Sequence, residues 1–323
     1  MWPSGFQIMT QGARAMGMGL AYTGVASDPS AVFYNPAGLG WQKHYAAQLG
    51  ASALWRTEGE FDGANPFPGT GYHAEYEDKT FLLPTLYAVL PMTESVNLGF
   101  GTFAQYGLGI GWDDRDNFAG RFLAQEADLQ SVDINPVVSW QISPQFSVAG
   151  GVLYRMAKLE LQQNQAAINP FTQSAVDVAH ITLESGELFD NGDWGWNAGV
   201  MLKPLPYLAL GVAYRSGISI DFDGEAAFDQ VLSGNPAFDQ IVAGQLPESP
   251  QALETTIDFP ASWNIGAAIA LGEALTLSLE ADWTEWSSFE SLNVLFRDEP
   301  DLSFERITAW EDSWAYRAGL EWR

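Results

Sequence analysis

No cysteine occurs among the 323 residues, so neither a disulfide framework nor a thiolate metal site is available. Basic residues are scarce too: 14 Lys and Arg against 40 Asp and Glu leave a formal charge of -26. That sign is wrong for a phosphate backbone, and nucleic acid is excluded as a partner. No run of about 18 apolar residues exists, which rules out a helical membrane span. The histidines are His44, His73 and His180. His44 opens a strand and the other two lie in or beside expected external loops, so no Ser/His constellation is visible and a lipid hydrolase is disfavoured; the chain reads as a non-enzyme without a cofactor. Asp221-Phe222-Asp223-Gly224-Glu225 has its glycine misplaced for a calcium loop, and no metal site is assigned. Met1-Trp2-Pro3 lacks the basic start and apolar core of a secretory signal. If the protein is exported, the chain begins at or near its mature end.

What the chain does have is aromatic residues, glycine and strict alternation. Leu275, Leu277, Leu279, Ala281 and Trp283 alternate with Thr276, Ser278, Glu280, Asp282 and Thr284. The same rule runs through Tyr45–Trp55, Val96–Tyr106, Val132–Ile142, Phe146–Arg155, Trp194–Lys203, Leu208–Arg215, Trp263–Ile269 and Tyr316–Trp322. One face is apolar and the other is small or polar. Segments of about ten residues with period-two alternation, separated by turn residues, are the mark of a transmembrane β-strand. Hydrocarbon offers the backbone no hydrogen-bond partner, so strands must pair with neighbours and the sheet must close. A soluble sandwich also alternates. Two features favour the barrel: Trp and Tyr gather at segment ends as an interfacial girdle requires, and Arg155, Arg215, Glu280 and Asp282 occupy the non-lipid face. The fold expected is all-β, an antiparallel transmembrane barrel.

Turn chemistry separates two kinds of connection. Short ones, such as Leu90–Glu94, Ile142–Gln145, Lys203–Pro206 and Gly272–Glu273, read as periplasmic hairpins. Long ones, roughly 56 to 78, 107 to 122, 162 to 192, 221 to 254 and 287 to 311, are expected outside the cell and carry most of the acid. Those carboxylates either bind divalent cations that bridge lipopolysaccharide phosphates or form a solvated, salt-adapted surface.

Ahead of the strands lies a stretch of a different kind, GARAMGMGLAYTGVASDPSAVFYNPAGLG from Gly12 to Gly40. It is glycine-punctuated and only weakly periodic, which suits a compact plug. Asn35-Pro36-Ala37-Gly38 marks a turn, since proline pushes its predecessor out of the helical region. With Gly5-Phe6-Gln7 upstream, the stretch resembles the N-terminal hatch of the outer-membrane transport proteins for long-chain fatty acids and aromatic hydrocarbons, the FadL/TodX family. The resemblance continues through Gly120-Arg121-Phe122, Asp133–Pro136, Asp193–Asn197, Val212–Ser216, Trp283–Phe289 and Trp310–Trp314, in the family's order.

The resemblance implies a hatch over 1–42 and a barrel wall over 43–323, in the outer membrane of a Gram-negative bacterium, as a monomer meeting lipid, lipopolysaccharide and the outer-membrane assembly machinery. The family barrel has fourteen strands, whereas about ten are legible here, and the chain stops at Trp322-Arg323. The expectation is a chain lacking roughly four C-terminal strands, with unpaired edges at its first and last strands. The implied function is passive uptake of fatty acids, alkanes or aromatic hydrocarbons: ligand lands on the outer loops, passes beside the N-terminal arm, and leaves through a gap near a kinked third strand. A general porin or a structural or adhesive barrel is the alternative.

The implied ligand contacts are Phe6 and Ile8 from the arm, with Phe103 and Tyr106 near the kink. Gly107, Gly109 and Gly111 remove side chains from the third strand, which either kinks the wall or opens a flexible loop. Arg155 or Arg215 either holds a ligand carboxylate or pairs with Glu280 or Asp282 across the lumen.

Overall fold

The alternating segments extend as strands and pair in sequence order. The computed structural model describes residues 5–55, 59–62, 73–117 and 119–322. Among these, the main sheet contains β1 (Ala46–Trp55), β2 (Thr80–Pro91), β3 (Val96–Phe103), β4 (Gly107–Gly111), β5 (Glu126–Ser143), β6 (Phe146–Asn169), β7 (Ser174–Glu184) and β8 (Gly192–Leu205). It continues with β9 (Leu208–Arg215), β10 (Ile218–Gln230), β11 (Gln251–Phe259), β12 (Ser262–Leu271), β13 (Leu275–Thr284), β14 (Ser291–Phe296), β15 (Phe304–Ile307) and β16 (Ser313–Trp322). All pairs are antiparallel. The membrane wall runs β1-β2-β3-β5-β6-β8-β9-β12-β13-β16. Among the described residues β1 pairs only with β2, and β16 only with β13, so the two edge strands do not pair with each other.

Above the wall the sheet continues as a crown in which β6, β7, β10, β11, β14 and β15 are successive neighbours. The sequence reading placed much of this region in loops. The structure corrects it: alternation persists there, with Ile218, Ile220 and Phe222 buried on one side of β10 and Leu253, Thr255, Ile257 and Phe259 on one side of β11. Of the first long connection, residues 56–58 and 63–72 lie outside the described residues.

The wall is inside out relative to a soluble protein. Leu49 is 82% exposed and Trp322 84%, whereas Ser147 and Ser278 are 0% exposed. Large apolar side chains line the outer surface; Asn97, Asn135, Ser139 and Asp133 are buried within. Outward aromatic residues on adjacent strands touch near the crown: Tyr154 with Trp194 at 4.8 Å, Trp196 with Tyr214 at 4.8 Å and Tyr214 with Trp263 at 4.6 Å between ring centres. Tyr45, Trp140, Tyr207 and Trp322 are exposed at the short-turn end, completing the two belts that membrane interfaces favour.

The lumen is filled by α1 (Ala13–Gly17), α2 (Ala31–Tyr34) and a 3₁₀ turn, Pro36–Trp41. Inward positions of four wall strands are glycine where this hatch approaches. A Cβ on Gly199 would strike the Asn35 side chain, on Gly211 the Thr23 carbonyl, on Gly266 the Gly24 amide, and on Gly319 the Met18 carbonyl. The small residues of the alternating pattern are thus the imprint of the hatch on the wall. Gly211→Val is expected to weaken hatch docking by about 1–3 kcal/mol through overpacking. Proteolysis within residues 12–40 should accelerate while the strand signal in circular dichroism is unchanged; equal protection in variant and wild type would contradict the close-approach argument.

Candidate functional site

Phe6 to Gln11 form an arm that seals an interruption in the wall. β3 ends at Phe103 and pairing to β5 resumes with β4 at Gly107. Across the break, the Ile8 amide donates to the Gln105 carbonyl at 2.7 Å and the Gly107 amide donates to the Phe6 carbonyl at 3.0 Å. Gln11 donates to the Ala104 carbonyl. The Ser131 hydroxyl serves Tyr106 on both sides, accepting from its amide at 3.1 Å and donating to its carbonyl at 2.7 Å. The arm and the Ser131 side chain thus take up the carbonyls of Ala104, Gln105 and Tyr106 and the Tyr106 amide, which the break frees from the ladder.

The break lies at 104–106, not at the three glycines. Gly107, Gly109 and Gly111 are paired in β4 with Gln130, Asp128 and Glu126. Their smallness serves packing: a Cβ on Gly107 would sit 2.9 Å from Ile8 Cδ1, and one on Gly109 would collide with the Phe81 ring.

Phe6 is buried in an aromatic cage. Its ring centre lies 5.0 Å from Trp286, 5.6 Å from Tyr106, 5.7 Å from Phe289 and 6.0 Å from Phe259, all edge to face. A cleft of about 1110 Å³ lined by Gly5, Trp286, Trp310, Trp314 and Tyr316 opens beside it. Half-buried Ile8 packs at Gly107. Phe103 points elsewhere, to Phe33 at 5.0 Å and Tyr87 at 6.0 Å. Of the four apolar contact residues, the structure brings Phe6 and Tyr106 together and sets Phe103 against the hatch.

The lumen cations are not paired as the sequence reading had them. Arg155 forks onto Asp133 at 2.7 and 2.8 Å and donates to Gln105 at 2.8 Å. Arg215 donates to the Phe33 carbonyl at 3.0 Å. Glu280 instead accepts from the Thr23 amide at 2.7 Å and hydroxyl at 3.0 Å, and Asp282 pairs with Arg317. Register explains the first pair, since Asp133 faces Arg155 across the β5–β6 ladder; Arg317 faces Glu280 across β13–β16 but reaches diagonally to Asp282, which leaves Glu280 to the hatch.

Asn35 is a clamp between hatch and wall. Its side-chain oxygen accepts from the Ala37 amide at 3.1 Å, while its nitrogen donates to the Thr23 and Val200 carbonyls, both at 3.1 Å. Pro36 opens the 3₁₀ turn, Ala37 is fully buried, and a Cβ on Gly38 would strike the Ala26 carbonyl. Arg14 forks onto Glu321 at 2.6 and 2.8 Å. The Tyr34 hydroxyl donates to the Met9 carbonyl at 2.8 Å. Burial holds its phenol above the ordinary pKa, so the donor is kept. Sequence reasoning missed the Glu280 latch, although a carboxylate on the inward face of the cleanest alternating strand was its visible signal.

A second cavity, of about 470 Å³, lies in the crown. Phe122, Ile181, Leu183, Phe228, Phe296 and Phe304 line it, with the amides of Gln163, Asn164 and Gln165. Beside it, Arg121 forks onto Asp177 at 2.9 and 3.0 Å, and Asn164 links Asp177 to His180. The described residues thus form a largely apolar pocket in the crown and an aromatic chamber at the arm.

Comparison with known proteins agrees with this architecture. The family model described as outer membrane protein transport protein (OMPP1/FadL/TodX) matches residues 1–323. A long-chain fatty acid transport protein of Escherichia coli O6:H1 is 23% identical over 99% of this chain and 77% of its own. A 47 kDa outer membrane protein of Pasteurella multocida is 27% identical over 92% of this chain and 69% of its own. Among solved structures, a Pseudomonas aeruginosa FadL homologue superposes with a TM-score of 0.78 at 21% identity, covering 99% of this chain and 78% of that one. The Pseudomonas putida toluene transporter TodX gives 0.69 at 17% identity, covering 95% and 79%.

Replacing Glu280 with Ala leaves the Thr23 amide without its acceptor, a loss of about 1.5–3 kcal/mol for hydrogen bonds to a charged group. Hydrogen exchange in residues 20–26 should accelerate at least about tenfold; unchanged exchange would show that the carboxylate does not hold the hatch.

Proposed function

The chain belongs to the outer membrane protein transport family (OMPP1/FadL/TodX), and from that premise we propose that it admits long-chain fatty acids, alkanes or aromatic hydrocarbons by passive, ligand-gated lateral diffusion. The protein resides in the outer membrane, as the family does, and its family carries hydrophobic compounds. In this reading the crown pocket receives the molecule, and the rings around Phe6 hold it next. The molecule leaves sideways through the wall at 104–106 into the apolar outer surface.

One observation carries the proposal: a single six-residue arm both fills the aromatic cage with Phe6 and supplies the hydrogen bonds across the wall's break. A ligand that displaces Phe6 therefore pulls on the same backbone that seals the exit. The names of the relatives support the substrate range, from long-chain fatty acids to toluene. The hatch packed against inward glycines favours this over a general porin, whose bore would be open to water.

Gln7 and Tyr106 face each other across an isolated antiparallel bridge, and the chain has no cysteine of its own. Cysteines at these two positions, joined by oxidation, should stop uptake of oleate or toluene into cells expressing the protein, and reduction should restore it. Deletion through Gly40 should change uptake as well. Equal uptake by oxidised and reduced protein would remove the arm from the pathway.

A further inference from the structure

Pro136 stands in the middle of β5, an internal strand of the wall, and a proline has no N–H to give a neighbouring strand. In sheets it is ordinarily confined to edges and bulges for that reason. The register is unbroken around it: Ile134 faces Tyr154 and Val137 faces Gly151, so Pro136 stands opposite Val152 on β6. Strand alternation tells on which side the N–H is missing. The Gln141 amide donates to the Ser95 carbonyl, so odd residues of β5 bond toward β3 and even ones, Pro136 among them, turn toward β6.

The Val152 carbonyl is therefore left without a backbone donor. Pro136 and Val152 both lie on the exposed outer face, where lipid supplies none. Asn135 fills the place from inside. Fully buried, it donates through its side-chain nitrogen to the Val152 carbonyl at 2.7 Å. Asn197 on β8, the next strand along, donates to the Asn135 side-chain oxygen at 2.9 Å, which fixes the end of the amide that meets the carbonyl. Gly151 keeps room for the pair: a Cβ there would strike both the Asn197 side-chain oxygen and the Pro136 carbonyl at 2.6 Å.

We propose that Asn135 is a sealing residue of the wall: its amide replaces the N–H that Pro136 lacks, Asn197 orients it, and together they keep the β5–β6 seam shut. On its other side β5 borders the break at 104–106, so the pair confines any opening of the wall to the gap that the arm covers. The seal goes beyond the transport function proposed above and holds whatever compound the wall admits.

Hydrogen exchange over residues 150–154, in the full chain reconstituted into lipid nanodiscs, tests the seal. Asn135→Leu should accelerate exchange there at least about tenfold, the worth of one hydrogen bond whose acceptor is left unpaired. Adding Pro136→Ala restores a backbone N–H at the same place and should return exchange to within about twofold of wild type. The partner that Asn197 loses is lost in both variants, so the difference between them reports the seam alone. Unchanged exchange in Asn135→Leu overturns the assignment, and so does equal acceleration in the single and double variants, since Asn135 would then act only by packing against Asn197. If Asn135→Leu fails to fold, the pair is read as yield of folded protein: recovery on adding Pro136→Ala supports the seal, and failure of both variants overturns it.

Discussion

Backbone hydrogen bonding in a solvent that offers none is the constraint on which the rest depends. In hydrocarbon each peptide group must find a partner within the protein, and a sheet meets that demand only by pairing strand to strand. The consequence is visible where the ladder is interrupted: at 104–106 the arm and the Ser131 hydroxyl supply what the neighbouring strand does not. A segment that completes a membrane wall by a few bonds is well placed to open it.

The same constraint explains the inner face. Outward positions must be apolar for lipid, so all adaptation to the hatch falls on the inward ones. There the side chains shrink to glycine or serine where hatch backbone approaches, or become polar where it needs partners, as at Glu280, Asn97 and Arg215. The hatch is held both by these hydrogen bonds and by apolar burial, since Met18, Tyr22, Val32, Phe33 and Leu39 belong to the main buried cluster with Tyr87, Val89 and Phe103 of the wall.

Much of this was legible from residue order. Strands such as Leu275–Thr284 declare both faces at once because the strand period is two. The Asn35-Pro36-Ala37-Gly38 turn was visible as a breaker. Its second role, reaching Thr23 and the Val200 carbonyl with one amide, depends on what lies opposite and left no local trace. The break in the third strand was displaced by a few residues for the same reason. Glycine marks low strand propensity at 107–111, but the β5 ladder overrides it, and the interruption falls where the arm competes for the same backbone groups. Arg155 with Asp133 is a register fact: two residues 22 apart in sequence meet because one hairpin aligns them. The crown was read as loops because its strands are rich in acid and amides, although their period is intact.

The central claim is the orientation of the apolar face, and the absence of native cysteine makes it directly measurable. Single cysteines at Leu49, Leu279 and Leu320, and at Ser52 and Ser278, can each carry a nitroxide in protein reconstituted into bilayers. Collision with dissolved oxygen, which concentrates in the acyl region, should be frequent at the three leucine positions and rare at the two serine positions. Uniform accessibility, or the reverse order, would mean that these rows do not face lipid and would contradict the account.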